Sequence, residues 1–398
     1  MFKLLTTPLA ITPQWLINLL SHGFAPIAYC AIPKWRKRAL SNLALATDLK
    51  LSPKEIRRIA KASFANLLTC ALEYPKFAHR KSFKWACCTN PEPAAALIAK
   101  GQGIIFFCGH QANWEVLFLE GTQRMPGVAI GRPIKQKKVY EWIVQMREKF
   151  GGTIVPPKLA IKEGLRGLKA GKFLGIVGDQ GFPDSDFSSS FLGRRAFTST
   201  APALLSYKTG CPIMVATTKR VGVTYEITYS DPIWPDKSKP MNEETERMMK
   251  EALQIFETSI KTCPEQWLWQ HNRWKQESPK NVYYRFRHDS ILIIAPKWEP
   301  WMQTFRTIYP RAFLTLMCPT PQNGFEHLAY DPYRKDYRFK LVFNFSKENI
   351  TRHWKRQAAF EVLTKKDLIE LATPKLILAQ EPSFDKILKL AICREEHI

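Results

Sequence analysis

Short apolar segments alternate with helical segments between residues 103 and 261, and this alternation constrains the fold more than any other feature of the chain. Apolar segments of this kind are typical of strands that are buried on both faces. Strands that alternate with helices form a largely parallel sheet with helices packed on its faces, so we expect an α/β fold. The expected strands are Ile104–Cys108, Thr153–Val155, Phe173–Val177, Ile213–Thr217 and Val223–Tyr229, and the expected helices are 113–119, 135–150, 161–170, 201–208 and 242–261.

A second group of apolar segments follows residue 280 and is also separated by helical segments. The expected strands are Ile291–Ala295, Phe313–Met317, Leu341–Phe345 and Leu376–Leu378, with helices around 300–308 and 349–363. This group contains no GxGxxG and no P-loop, so the sequence assigns it no nucleotide. We expect a larger domain over residues 34–278 and an additional, smaller α/β domain of unassigned role over residues 279–398.

The N-terminal segment lacks charged residues from position 4 to position 33, a length that suffices to cross a bilayer. Three prolines interrupt it, and its proline-free core over residues 14–25 suits an interfacial helix as well as a spanning one. The following block, Pro33–Arg38, places a Trp beside four cations, which is typical of the cytoplasmic interface of an anionic leaflet. We expect residues 1–33 to form a membrane-associated helix. A buried hairpin of a soluble domain is the alternative, and a cleaved signal peptide fits poorly.

The charge balance is strongly basic, with 59 Lys and Arg against 35 Asp and Glu and a formal net charge of +24. Such a field favours an anionic partner, which is a nucleic acid, an anionic lipid or an acidic carrier protein. A generally basic surface without a specific partner is the alternative, because the excess is spread along the chain.

The nine cysteines are scattered and form neither a CxxC motif nor a zinc-type spacing. An odd number of scattered cysteines indicates reduced thiols in a cytoplasmic environment rather than a disulfide framework. We therefore predict no metal site.

The first expected strand ends in the block Gly109–Glu115, at the edge where α/β sheets place their active sites. His110 and Glu115 are separated by about 140° around a helix, so they cannot share a helical face. They can meet if His110 lies on the loop and Glu115 in the first helical turn, with Asn113 as the N-cap. A carboxylate against an imidazole fixes its tautomer and raises its basicity, which predicts a His–Glu general base. A structural histidine is the alternative.

Further sequence blocks follow this one in a fixed order. They are Gly131–Pro133, Gly178–Gln180, Phe191–Gly193, Ala196–Thr198, Tyr207–Ile213 and Pro264–Lys275. With the His-x4-Glu block, this order resembles the bacterial lipid A late acyltransferases of the lauroyl and myristoyl type, a branch of the glycerolipid acyltransferase superfamily. The resemblance extends from about residue 30 to residue 276, and the remainder of the chain has no counterpart in it.

This resemblance implies a glycerolipid-acyltransferase-like sheet flanked by helices, and an enzyme of lipopolysaccharide biosynthesis. It implies transfer of a fatty acyl chain from acyl carrier protein to a hydroxyl of a lipid A (Kdo-lipid) precursor. His110 would take the hydroxyl proton, and Glu115 would orient and stabilise the imidazolium. No cofactor is implied, because the acyl thioester is itself a substrate. The implied location is the inner membrane of a Gram-negative bacterium, with the catalytic domain facing the cytoplasm and an anionic membrane surface as a partner.

Several further residues are expected to bind the substrates. Arg132 is a candidate oxyanion donor, together with backbone N–H groups near Gly109, and it suits an acceptor phosphate equally well. Asp179 ends another strand and is expected near the site, although a loop-capping role is the alternative. The remaining candidates are Asn113 and the basic pair Arg194 and Arg195. Cys108 lies two residues before His110, and a core thiol is favoured over an acyl-enzyme nucleophile.

Three other interpretations of the chain stay open. One is the same chemistry directed at another glycolipid or at a lysophospholipid, and the sequence barely discriminates between these acceptors. A nucleic-acid-binding protein would interleave aromatic and basic residues, as residues 334–340 do, but a strand edge explains them as well and we expect no nucleic acid partner. A catalytically inactive scaffold is disfavoured because His110 and Glu115 are both present.

Overall fold

The computed structural model describes residues 2–81, 85–276, 281–375 and 382–394. Four helices open the chain: α1 (Phe2–Ile11), α2 (Gln14–Ala31), α3 (Pro33–Leu45) and α4 (Pro53–His79). Helix α4 begins at a capping box, in which Ser52 Oγ accepts the Glu55 N–H and the Glu55 carboxylate accepts the Ser52 N–H. This long helix forms the support on which α1, α2 and α3 pack.

Helix α2 has two distinct faces. One face is buried and carries Ile17, Ser21, Ala25 and Tyr29 at four-residue spacing. The other exposes large apolar side chains to solvent, which are those of Trp15, Leu19, Phe24 and Ile27. Within the described residues no single helix is long and apolar enough to cross a bilayer; α2 and α3 meet the criterion only as a pair, and they are bent by 98° where they join.

A seven-stranded sheet forms the centre of the larger domain. Its strands are β1 (Ala86–Cys88), β2 (Ile104–Cys108), β3 (Gly127–Ile130), β4 (Gly152–Val155), β5 (Phe173–Val177), β8 (Ile213–Val221) and β9 (Thr224–Tyr229), and β6 (Ser188–Phe191) and β7 (Arg194–Phe197) form a separate hairpin. The order is β1-β9-β8-β2-β5-β3-β4, and every pair is parallel except β8 with β9. The five expected strands are confirmed, and the mixed α/β class is correct.

Helices cover both faces of this sheet. They are α5 (Glu92–Ala99), α6 (Glu115–Gly121), α7 (Lys137–Arg147), α8 (Ala160–Lys169), α9 (Ala201–Thr209) and α10 (Met241–Thr262). Alternate residues of β2 enter two different apolar cores, as a strand buried on both faces requires. Ile105 and Phe107 share a core with residues of α9 and α10, whereas Ile104 and Cys108 share one with residues of α6.

A second, five-stranded sheet lies in the C-terminal part of the chain. Its strands are β10 (Ser290–Ile294), β11 (Phe313–Met317), β12 (Glu326–Leu328), β13 (Leu341–Asn344) and β14 (Glu361–Thr364), and its helices are α11 (Thr304–Ile308), α12 (Thr351–Arg356), α13 (Lys365–Ala372) and α14 (Phe384–Ile392). The order is β12-β11-β10-β13-β14, with all strands parallel. Open parallel sheets of this order are doubly wound, with helices on both faces.

For this second group of strands, one expectation is wrong and two concern residues outside those that the structure describes. The helix predicted over 349–363 is wrong: α12 ends at Arg356, and the segment that begins at Glu361 pairs with β13 instead, because the sheet offers it backbone partners. The predicted strand Leu376–Leu378 and the predicted domain boundary at residues 278 and 279 lie outside the described residues.

The amino ends of the second sheet face the larger domain. Asp289 immediately precedes β10 and Lys340 immediately precedes β13, and they form a buried ion pair at 3.0 Å. Asn272 of the larger domain bonds both members of this pair. Arg194 adds a bidentate ion pair with Glu326, at 2.7 and 3.2 Å. Because the strands are parallel, their carboxyl ends all lie at the opposite edge, away from these contacts.

Candidate active site

The loop after β2 carries His110 and is held by two other parts of the chain. The Ala112 N–H donates to Gln266 O at 2.7 Å, and the Leu268 N–H donates to His110 O at 3.0 Å. Gly109 is required at the strand end, because a Cβ there would lie 2.1 Å from the Phe256 ring. Ala112 adopts a left-handed backbone with φ of 48°, so the loop keeps a conformation that its neighbours impose.

Asp179 is the carboxylate that holds His110. Its Oδ1 accepts from His110 Nδ1 at 2.8 Å, and its Oδ2 accepts from the His110 backbone N–H at 2.8 Å and from Trp267 Nε1 at 2.7 Å. The sheet register explains this meeting: Cys108 pairs with Val177, so His110 and Asp179 both lie two residues beyond paired positions of adjacent parallel strands.

The surroundings of Asp179 keep its carboxylate ionised. Burial alone would disfavour the charged carboxylate, but the His110 imidazole and the hydrogen bonds from His110 and Trp267 outweigh it and lower the pKa of Asp179 to about 2. An ionised Asp179 accepts a proton-bearing Nδ1, which leaves Nε2 of a neutral imidazole as the basic nitrogen. Gln180 Nε2 lies 3.3 Å from this Nε2.

Glu115 does not pair with His110, and the expected His110–Glu115 hydrogen bond is wrong. Its carboxylate accepts from Arg147 Nε at 2.8 Å, from Arg147 Nη2 at 2.5 Å and from Tyr74 OH at 2.7 Å. Burial raises the pKa of Glu115, but the Arg147 guanidinium more than compensates, so the pKa lies below its usual value. The physical reason is that Glu115 opens helix α6 and points toward α4 and α7, while Asp179 already occupies Nδ1.

Asn113 lies in a buried polar network rather than on a surface that a substrate can reach. Its side chain is fully buried, donates from Nδ2 to Glu73 Oε2 at 2.8 Å and accepts the Glu115 N–H at Oδ1 at 3.4 Å. Glu73 also accepts from Tyr225 OH, and from Gln14 Nε2 at 2.7 Å. Asn113 lies two residues before the first helical residue, so the N-cap is Trp114 and not Asn113 as expected. Its hydrogen bonds position the loop of His110.

A first cavity, called here the apolar cavity, extends beneath the sheet edge from Cys108 and Trp114. It encloses about 80 Å³ and is walled mainly by aromatic and aliphatic side chains, including Phe106, Phe118, Ile154, Phe173 and Tyr229. The Trp114 ring, which lines the cavity, lies against the His110 ring with a centroid distance of 4.6 Å, so the cavity is close to the imidazole. Burial raises the pKa of the Cys108 thiol well above its usual value, which disfavours a thiolate nucleophile.

A second cavity, called here the polar cleft, lies close to His110. It measures about 460 Å³ and is lined by Arg132, Gln180 and His271. The ring of His271 lies parallel to that of His110, with a centroid distance of 6.4 Å. Burial lowers the pKa of His271 to about 4, so this imidazole is neutral at pH 7.

The remaining predicted site residues fall into different places. Arg132 is exposed at the polar cleft, as expected for a residue that meets a substrate. Arg194 is engaged by Glu326 of the second sheet, and Arg195 donates to Ser188 Oγ at 3.0 Å and lies over the Phe197 ring. Neither arginine is among the described residues that line the cavities beside His110.

Sequence reasoning missed three residues of the site. The sequence favours a packing role for Trp267 and a structural role for His271, and it gives Gln180 no role of its own. All three lie within the blocks Gly178–Gln180 and Pro264–Lys275, and their place in these blocks is the sequence feature that could have indicated them. In the part of the chain that the structure describes, no group of three or more His, Cys, Asp or Glu residues is placed to hold a metal ion.

One comparison with known proteins identifies a family. The family model described as bacterial lipid A biosynthesis acyltransferase matches residues 3–276, which is more than half of the chain. The match includes His110, Asp179 and Trp267 and ends before the second sheet. No curated protein matches the chain.

Proposed function

The chain belongs to the bacterial lipid A biosynthesis acyltransferase family, and from that premise we propose that it transfers a fatty acyl chain from acyl carrier protein to a hydroxyl of a Kdo-bearing lipid A precursor. The observation that supports this most directly is the position of His110. Its Nδ1 is held by Asp179, and its ring neighbours Trp114, which lines the apolar cavity, and His271, which lines the polar cleft. An apolar site and a polar site are thus both close to this imidazole.

The proposed reaction begins when His110 Nε2 takes the proton of the acceptor hydroxyl. The alkoxide oxygen attacks the thioester carbonyl and forms a tetrahedral intermediate, while ionised Asp179 stabilises the imidazolium. The carbon–sulfur bond then breaks, and the imidazolium returns the proton to the departing thiolate. The products are the acyl ester and the free thiol of the carrier. A positioned base of this kind contributes roughly 10²–10⁴ in rate.

The oxyanion of the intermediate needs hydrogen-bond donors. The backbone N–H groups of His110, Gln111 and Ala112 already have acceptors within the protein, which are Asp179, Gly109 O and Gln266 O. We therefore assign the oxyanion to the Gln180 amide, with Arg132 as the second donor. A single preorganised donor is worth about 3–4 kcal/mol of transition-state stabilisation.

The apolar cavity is the proposed site of the acyl chain. Its walls are mainly apolar. Glu115 and Arg147 also belong to the lining, and their charges are paired with each other. Each methylene transferred from water to such a site contributes about 0.8 kcal/mol, so the methylenes that enter the cavity stabilise the bound acyl chain.

We propose further that α2 and α3 rest on an anionic membrane surface at the cytoplasmic side of the inner membrane. The exposed apolar face of α2 carries Trp15 and Leu19, and the start of α3 adds Lys34, Trp35 and Arg36. An apolar face beside a basic cluster is the pattern of an interfacial helix on anionic lipid. The acidic carrier protein is the second anionic partner that a charge of +24 favours.

An in vitro transfer assay tests the proposal. Detergent-solubilised protein is incubated with labelled acyl carrier protein thioesters and a Kdo-bearing lipid A precursor, next to His110→Ala and to the control His353→Ala in the C-terminal part of the chain. We expect a heavier lipid from wild type and control only. Acyl transfer to a different lipid would support the proposed reaction but reject the proposed acceptor. Transfer to no lipid would contradict the proposal that this protein is an acyltransferase.

A further inference from the structure

A third cavity, called here the basic cavity, lies between the two sheets. It measures about 1400 Å³. One wall is the start of α3 together with His271 and Lys275 of the larger domain. The other wall is the amino edge of the second sheet, with residues that directly precede its strands, such as Asp289 and Lys340. The family match ends at residue 276, so this second wall lies entirely outside the matched region.

The charge of the basic cavity is strongly one-sided. Among the described residues that line it, eight are Lys or Arg and three are Asp or Glu, and one of these acids, Asp289, is already paired with Lys340. A concave surface lined by one sign of charge focuses the potential and concentrates counter-ions. The cavity is therefore built for an anion.

Arg38 lies in the lining of this cavity beside His271, His288 and Lys340. Burial lowers the pKa of these three groups, and the Arg38 guanidinium adds to the effect on each. Within the described part of the chain, neither Arg38 nor Lys275 has a carboxylate partner. These two cations are therefore available to bind an anion from outside the chain.

The basic cavity is continuous with the site of His110. His271 and Lys275 line both the basic cavity and the polar cleft, and the His271 ring stacks parallel to the His110 ring. A molecule held in the basic cavity thus reaches the polar cleft, whose lining residue Gln180 lies 3.3 Å from His110 Nε2. At its other end the cavity includes Pro33 and Lys34, which directly follow the exposed apolar face of α2.

We propose that the basic cavity binds the phosphate- or carboxylate-bearing headgroup of the lipid acceptor, and that the C-terminal domain supplies one of its two walls. This inference rests on the proposed function, because it assigns the acceptor of that reaction. The volume exceeds the roughly 300–1000 Å³ of ordinary small-molecule pockets, so it suits a headgroup of several sugar rings. The acyl chains of the acceptor would stay at the apolar face of α2 while the headgroup enters the cavity.

A binding experiment that needs no turnover tests this assignment. The probe is a water-soluble, acyl-free glucosamine disaccharide bisphosphate, and calorimetry compares the full-length wild type with Arg38→Ala and Arg285→Ala. Arg285 is exposed at the rim on the C-terminal wall, so its removal leaves the packing intact. The control is Arg352→Ala, an exposed arginine of the same domain outside the cavity.

Removal of one charged hydrogen bond to a phosphate is expected to raise Kd about tenfold or more. The Kd of the control variant should stay within twofold of the wild-type value. The unphosphorylated disaccharide should bind all variants with the same affinity. If both variants bind the bisphosphate as wild type does, the inference fails. If they instead lose 4′-phosphopantetheine, the cavity belongs to the acyl donor and the assignment is overturned.

The outcomes separate this inference from the proposed function. If the protein shows no transfer activity but binds the bisphosphate in a way that depends on Arg38 and Arg285, the headgroup site is supported and the proposed reaction is rejected. Transfer to the Kdo-bearing precursor with unchanged acceptor KM in both variants would keep the reaction and reject the headgroup site. Thermal melting of each variant checks folding, and an unfolded Arg38→Ala leaves the exposed Arg285→Ala to decide.

Discussion

Replacement of Asp179 by Asn tests which carboxylate serves His110. The substitution keeps the shape of the side chain and removes its charge. Asp179 is only 3% exposed and accepts three hydrogen bonds, and its environment lowers its pKa from 3.8 to about 2. Because one pKa unit corresponds to 1.36 kcal/mol, the folded protein favours the carboxylate by about 2 kcal/mol.

Two effects on turnover follow from this environment. Asp179→Asn removes the negative charge that stabilises the imidazolium, and each 1.36 kcal/mol of stabilisation lost lowers kcat tenfold. The amide that Asp179→Asn introduces also competes to donate to Nδ1, which would shift the proton to Nε2 and remove the base. The same change in a Ser-His-Asp triad costs about 10⁴, so we expect kcat to fall by about 10² to 10⁴.

The assay is single-turnover acyl transfer at pH 7, with Glu115→Gln as the matched control. This control removes the other carboxylate that sequence reasoning paired with His110. We expect Asp179→Asn to lose far more of the chemical rate than Glu115→Gln among variants that remain folded. A Glu115→Gln rate as low as that of Asp179→Asn, at equal folded fraction, would refute the assignment of Asp179.

Three further predictions concern stability and specificity. Glu115→Ala leaves Arg147 buried without its carboxylate, so we expect urea unfolding to show a loss of about 3–5 kcal/mol, and an unchanged midpoint would contradict the pairing. The pKa values of His271 and His288 are both lowered to about 4, so each binds a proton more readily when unfolded, and stability should fall as pH drops from about 6.5 to 4. His271→Gln should reduce this slope, and a slope equal to that of wild type would exclude His271 as its source. Gly175 lines the apolar cavity, and a Cβ there meets only ordinary contacts, so Gly175→Val should shift the preference among competing acyl thioesters toward shorter chains; an unchanged product distribution would place the acyl chain elsewhere.

Five strands of the seven-stranded sheet were predictable from the sequence, because short apolar runs indicate burial on both faces, whereas β1, β3 and the hairpin of β6 and β7 were not expected. The end of β2 was also predictable, and with it the location of His110. The partner of His110 was not predictable, because it depends on the register between β2 and β5, which no local pattern encodes. Sequence spacing favoured Glu115, but the direction of a side chain in the first turn of a helix depends on the elements packed around it.

The remaining differences have the same origin. Trp267 reads as a packing aromatic until its indole N–H is seen to donate to Asp179. The basic cavity is assembled from segments that are far apart in the sequence, so its charge was visible only as a diffuse excess of Lys and Arg. The segment after Arg356 has no strong helical or strand pattern, and its pairing with β13 decides its conformation.

The polarity of the second sheet has a practical consequence for experiments. Its amino ends form a wall of the basic cavity, so the turns after β10 and β13 emerge at the far edge. Lys297 and Lys347 are exposed there. A fluorophore attached through a cysteine at either position would test whether the C-terminal domain changes its position when the proposed substrates bind, at a distance from His110. Doubly wound sheets bind their ligands at the carboxyl ends of the strands. In the second sheet of this protein that edge lies away from the basic cavity and is therefore suited to carry a label.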